Sequence, residues 1–243
     1  MWPYFRPYVE GLAELVWPRD CHLCGENLLP SLSETWLCSA CTSAATSDDE
    51  PTCPRCSSTT GPHMDAADGC PRCRRQKFRF ETATRLGVYD GRLREAVLAT
   101  KHAAGEPLAE QLGRCWATVR GVTLGSPSPT LVVPVPLHWV RRFQRGYNQS
   151  AAIARGVAAG LSLQFAQPLR RARATPRQMA RSASGRAENV RDAFRLRAGA
   201  VVRGERVLLV DDVLTTGATA DACARALVAG GAAQVRVAVV AHR

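Results

Sequence analysis

Eight of the ten cysteines in this 243-residue chain fall before residue 74, in four CxxC pairs. They are Cys21/Cys24, Cys38/Cys41, Cys53/Cys56 and Cys70/Cys73, and the second set of four repeats the first with a constant offset of 32 residues. No other feature restricts the fold as tightly. A CxxC turn aims two thiolates at one point, and two such knuckles complete a tetrahedron. The spacing therefore predicts two structural zinc ions with no open coordination position. A disulfide framework is the rival, and it needs an oxidising compartment. The first twenty residues lack the basic start, apolar run and cleavage site of a signal peptide, so the expectation is a cytoplasmic protein with metal-bound thiolates. Zinc would also explain how a segment poor in aliphatic residues folds, since each site supplies roughly 10–16 kcal/mol of apparent binding energy. Pairing within each repeat fits the duplication better than cross-bracing, although the spacing permits both. Cys115 and Cys223 lie in helical patterns and read as small hydrophobes.

The length suits one α/β domain plus a small module. We expect residues 1–80 to hold a short N-terminal helix (Phe5, Leu12, Leu15 and Val16 inward) and a double zinc ribbon, and residues 81–243 to form the larger domain. No apolar run approaches the ~18 residues of a membrane span. The net charge is +11, unevenly placed: the stretch from Arg141 to Arg206 carries 15 Arg against Glu188, Asp192 and Glu205. Such a field attracts polyanions, from diphosphates to nucleic acid. Within it, Arg170, Arg171 and Arg173 read as a basic cluster set apart from the loop described next.

After residue 81 strands alternate with helices, which predicts a parallel sheet covered on both faces. "TATRLGVYD", "TLVVPVPLH", "RVLLVDD" and "VRVAVVAHR" read as strands. "SAAIARGVAAGL" and "GATADACARALVAGGA" read as helices, and 91–121 as two helices broken near Gly105–Pro107. "LQFAQPLRRARA" reads as strand and loop, and the stretch from Arg177 to Phe194 as loop and short helix. "VLLVDDVLTTGAT" holds the sharpest chemical signal. A strand ends on Asp211 and Asp212, and Leu214, Thr215, Thr216, Gly217, Ala218 and Thr219 lead into a helix. Backbone N–H groups, Thr hydroxyls and the helix N-terminus together form a phosphate cradle, and Gly217 lets the backbone come close. Ionised carboxylates suit vicinal hydroxyls. A phosphate beside two hydroxyls describes ribose 5-phosphate. No Walker A pattern occurs.

"VLLVDDVLTTGAT" closely resembles the phosphoribosyl-diphosphate signature of type I phosphoribosyltransferases. Over nearly the whole chain the sequence resembles the ComF family of competence-associated, phosphoribosyltransferase-like proteins. The resemblance rests on the cysteine knuckles, on Val133–Leu137 ("VPVPL"), on Arg145-Gly146-Tyr147-Asn148-Gln149, and on Thr175, Pro176, Gln178, Arg186 and Asn189. Arg181 departs from the leucine expected there. The resemblance implies a type I phosphoribosyltransferase fold that binds phosphoribosyl diphosphate with Mg²⁺. Asp211, Asp212 and the Thr215–Thr219 loop would hold the ribose phosphate. Pro134, Val135 and Pro136, with Leu137, would hold the diphosphate, often through an unusual peptide geometry. Arg141, Arg142, Arg145 and Lys101 would neutralise it.

Two functions are then open. One is transfer of phosphoribosyl to a nucleophile, with no side-chain base assignable. The other is a non-catalytic protein that handles single-stranded DNA alongside the DNA-uptake machinery, as the family association implies. Trp139, Phe143 and Tyr147 interleave with arginines and are candidate stacking platforms.

Overall fold

The computed structural model of the chain describes residues 20–28, 36–66, 68–137, 143–172 and 193–243. The N-terminal helix reading, Trp139, Arg141, Arg142, Arg173 and the Thr175–Asn189 motif lie outside them.

Five strands form one parallel sheet: β1 (Ala83–Val88), β2 (Leu131–Pro134), β3 (Gln164–Phe165), β6 (Arg206–Leu214) and β7 (Gln234–His242), in the order β1-β7-β6-β2-β3. Strands buried on both faces read as continuous apolar runs, and β6 shows why. Leu208 and Val210 enter one core with helices α3 (Glu106–Arg120) and α4 (Gln149–Leu161), whereas Val207 and Leu209 enter another with α5 (Ala218–Ala229). A short antiparallel ribbon, β4 (Leu169–Arg171) with β5 (Phe194–Leu196), closes the α5 side through Leu169 and Phe194.

Helices α3 and α4 touch backbone to backbone. A Cβ on Gly113 would sit 2.0 Å from the Ile153 carbonyl oxygen, and one on Gly156 would sit 1.9 Å from that of Glu110. Only glycine fits at either place. Helix α3 has Glu106 in its first turn, Pro107 beside it and Arg120 in its last, which suits the helix dipole at both ends.

The chain leaves β2 through α4 toward β3 on one side, and leaves β6 through α5 toward β7 on the other. The connections diverge between β2 and β6, so a crevice opens at their carboxyl ends, where ligands bind in open α/β sheets.

The N-terminal repeat is visible in backbone detail. Asp20 bridges Asn27 as Thr52 bridges Thr59, and Cys21 N–H donates to Glu26 O (2.7 Å) as Cys53 N–H does to Ser58 O (2.9 Å). The first unit then adds α1 (Ser39–Thr46), and its Cys21, Leu37, Cys38 and Cys41 share a core with Leu86, with Leu93 of α2 (Gly91–Ala99) and with Trp116. The second unit sits at the carboxyl end of β7, where Ser58 Oγ lies 3.3 Å from His242 Nε2. Arg85 fastens it: its guanidinium donates to Asp48 (2.7 and 3.0 Å), to Ser57 O and to Thr59 Oγ1.

Among the described residues no helix is long and apolar enough to cross a membrane.

Candidate functional site

Strand β6 does not stop at the aspartates. Its pairing with β7 continues from Asp211↔Val239 to Leu214↔His242, so both carboxylates project from a strand that is still held in the sheet. The turn after Leu214 is closed by Gly217, at φ 78° in the left-handed region, and Ala218 N–H donates to Thr216 Oγ1 at 3.4 Å.

A cleft of about 350 Å³ brings together Lys101, Val135, Pro136, Arg145, Asp211, Asp212, Thr215 and Thr219. Eight residues that sequence reasoning placed in one site thus line one cavity, with Leu137 beside them. Thr216, Gly217 and Ala218 complete the loop and face a larger neighbouring cavity. Pro134 ends β2, one residue before Val135 of the cleft, and does not itself line it. Among the described residues the only cis peptide is Ser126–Pro127, so the peptides of Pro134–Leu137 are trans.

The segment Arg145–Ser150 ties these pieces together. Tyr147 hydroxyl donates to Thr100 O, next to Lys101. Asn148 Nδ2 donates to Val135 O at 3.2 Å. Arg145 donates to Gln149 Oε1, and Gln149 Nε2 donates to Asp212. Ser150 Oγ donates to Asp211 Oδ1 at 2.8 Å. The sequence marks "RGYNQ" as a family element without a role for Asn148 or Gln149, and it carries no local signal for Ser150, Tyr89, Arg171 or Arg243, which also line the cleft. Arg171 therefore does not belong to a basic cluster apart from the loop. Tyr147 is buried and is a packing residue, not a stacking platform, whereas Phe143 is 89% exposed.

Burial, reinforced by the charge of Asp212, pushes the Asp211 carboxyl up to about 8, against the opposing hydrogen bond from Ser150. Near neutrality Asp211 therefore holds its proton. Lys101, Arg145, Arg171 and Arg243 line the same cavity as cations.

The eight knuckle cysteines form two groups, Cys21/Cys24/Cys38/Cys41 and Cys53/Cys56/Cys70/Cys73, with the sulfurs of each group within 4.8 Å of one another. Pairing is within each repeat, as the duplication suggested. Burial opposes the Cys21 thiolate, yet backbone N–H donors bring that thiol down to about 6, while burial and its neighbours push Cys41 up to about 12. Cys53 falls to about 7 and Cys73 rises in the same manner. Four soft donors crowded in this way suit a tetrahedral cation that holds all of them as thiolates. Cys223 is buried in α5 and Cys115 is half-buried in α3.

The phosphoribosyl transferase domain family matches residues 144–243. A parallel sheet whose central strand carries an Asp-Asp pair near its carboxyl end and runs on into a Thr-Gly loop, at the point where the connections diverge, defines a domain of the phosphoribosyltransferase class. Three relatives narrow the class. DNA utilization protein YhgH of Escherichia coli (strain K12) is 32% identical over 225 residues, covering 90% of this chain and 95% of that protein. Competence protein F of Haemophilus influenzae is 29% identical over 225 residues, covering 89% and 94%. Adenine phosphoribosyltransferase of Brucella suis is 39% identical over 88 residues, 36% of this chain and 45% of that one. The chain belongs to the ComF family.

Proposed function

We propose that this chain binds phosphoribosyl diphosphate with Mg²⁺ in the cleft between β2 and β6, and that it does so in the service of DNA uptake and use. The observation that carries the reading is the Arg145–Ser150 segment, which grips the Val135 carbonyl and both aspartates at once. Asp211 and Asp212 accept the ribose hydroxyls, and the N–H groups of Thr215–Thr219 take the 5-phosphate. Val135 and Pro136, with Lys101 and Arg145, surround the diphosphate. Hard oxygen donors suit Mg²⁺, and the side chains of Asp211 and Asp212 open on this cleft; when bound, the ion would neutralise charge on the departing diphosphate. The chain's own contribution to transfer is positioning and electrostatic stabilisation.

Each four-cysteine group holds one structural zinc, consistent with a reducing cytoplasm. The domain boundary falls at residues 80/81, with the first unit fused to the larger domain through its shared core. The relatives named for DNA utilization and competence support the link to DNA.

A second reading, single-stranded DNA handling without catalysis, is favoured by one observation. Arg170 and Arg195 stand directly opposite each other on the β4–β5 ribbon, both exposed. Like charges so placed repel, and a polyanion would relieve the repulsion. Diphosphate release separates the readings. Release that needs Mg²⁺ and an added base or single-stranded DNA supports transfer; donor binding without release under any of these conditions supports the second reading.

A further inference from the structure

The phosphate loop is gripped from outside the α/β domain. Its outer side faces a cavity of about 780 Å³ walled on the far side by the second four-cysteine unit, including Cys56, Arg72 and Cys73. Open space, rather than packed core, backs the loop here. Three contacts cross to it. Arg72, inside the Cys70–Cys73 knuckle, donates from Nη2 to Thr215 O at 3.2 Å and from Nη1 to Arg243 O at 3.4 Å. The Phe78 ring, stacked on Phe80 with centroids 4.5 Å apart, lies where a Cβ on Gly217 would meet it at 3.0 Å. Arg79 N–H donates to Asp221 Oδ1 at 2.7 Å, in the first turn of α5. The beginning and middle of the cradle, and the first turn of the helix that follows it, are each touched by residues 72–79.

We propose that Arg72 and Phe78 are positioning residues for the phosphate loop, and that the second four-cysteine unit thereby sets the donor affinity of a site to which it contributes no ligand-binding atom. The unit is itself anchored to the sheet by Arg85 and by the Ser58–His242 contact, so it is a fixed support. Arg55 extends the chain of contacts inward: it donates to Cys73 O and Gln76 O and lies over the Phe78 ring at 5.7 Å. The knuckle geometry that the metal imposes is thus passed to Gly217 through side chains in contact. The first four-cysteine unit packs elsewhere, against α2 and α3, and is not coupled in this way.

The inference rests on the donor-site reading, and its test separates the two. Full-length parent, Arg72→Ala and Phe78→Ala are compared with Arg75→Ala, an exposed connector residue, after metal analysis of each. Amide hydrogen exchange over residues 214–219, measured without any ligand, reads the coupling directly. It should rise about tenfold in Arg72→Ala, the scale of one missing hydrogen bond, with metal content and Tm unchanged; it should rise also in Phe78→Ala, where metal content holds and Tm falls with the lost packing; and it should stay at the parent value in Arg75→Ala. Ribose 5-phosphate affinity should fall by a similar factor while inorganic diphosphate affinity holds, a split that general destabilisation would not produce. Unchanged exchange in both variants overturns the proposal. Raised exchange in a protein whose parent binds neither ligand leaves the coupling standing and overturns the donor-site reading.

Discussion

Ser150 Oγ donates to Asp211 Oδ1 at 2.8 Å, and the neighbouring Gln149 amide donates to Asp212. Two consecutive residues at the start of α4 thus hold two consecutive aspartates near the carboxyl end of β6. The Ser150 bond favours the ionised form of Asp211, against burial and Asp212, which together hold its carboxyl at about 8.

A pH dependence follows. If ionised Asp211 accepts a ribose hydroxyl, donor affinity rises as pH climbs through about 8, and Ser150→Ala moves that midpoint upward. Stability runs the other way. The folded state holds a proton on Asp211 that the unfolded chain releases near 3.8, so stability falls as pH rises from about 4 to 8. Asp211→Asn should remove that fall and raise Tm at pH 8 by about 2–4 °C for each kcal/mol recovered. Calorimetric titrations and melts from pH 5 to 9 check both signs.

Arg85 and Asp48 form an ion pair in which each side chain is 2% exposed. Breaking one side leaves a buried charge, so Arg85→Met should cost about 3–5 kcal/mol. Adding Asp48→Leu should recover part of that cost. Urea unfolding of the single and double variants measures the coupling.

Freshly purified, reduced protein should contain two zinc ions per chain. Cys38→Ser should lose one of them and, because Cys38 shares a core with Leu86, Leu93 and Trp116, lower the Tm of the larger domain as well. A variant holding one zinc with the parent Tm would show that the shared core contributes little.

Arg170→Ala with Arg195→Ala removes the facing pair on the ribbon without touching the cleft. Single-stranded DNA affinity should drop, and its salt slope should flatten by about 0.7 for each phosphate that is no longer neutralised, with donor binding intact. Equal affinity across a salt series would remove the ribbon from any DNA-binding surface.

The cysteine framework and the phosphate loop were legible in the sequence because each is local: thiolate spacing and a strand–Gly–helix turn need no distant partner. What escaped depends on residues far along the chain. Strand β6 extends past Asp212 because β7 pairs with it. Strand β5, three residues long, exists only against β4, and its Phe194 closed a stretch read as loop and short helix. Helix α1 starts where Cys41 N–H finds the Cys38 sulfur. Tyr147 looked like a platform among arginines, yet its hydroxyl reaches Thr100 and its ring is buried. The seating of the second four-cysteine unit beside the phosphate loop joins residues more than 140 positions apart, which no sequence spacing records.

The central claim is that the cleft binds phosphoribosyl diphosphate. Isothermal titration of the donor with Mg²⁺ into the parent, Asp212→Asn and Thr216→Val tests it most directly. The account predicts one saturable site per chain in the parent, weakened at least about tenfold in each variant because a hydrogen bond to the ribose or within the phosphate loop is removed. No binding by the parent, or equal binding by all three proteins, would contradict it.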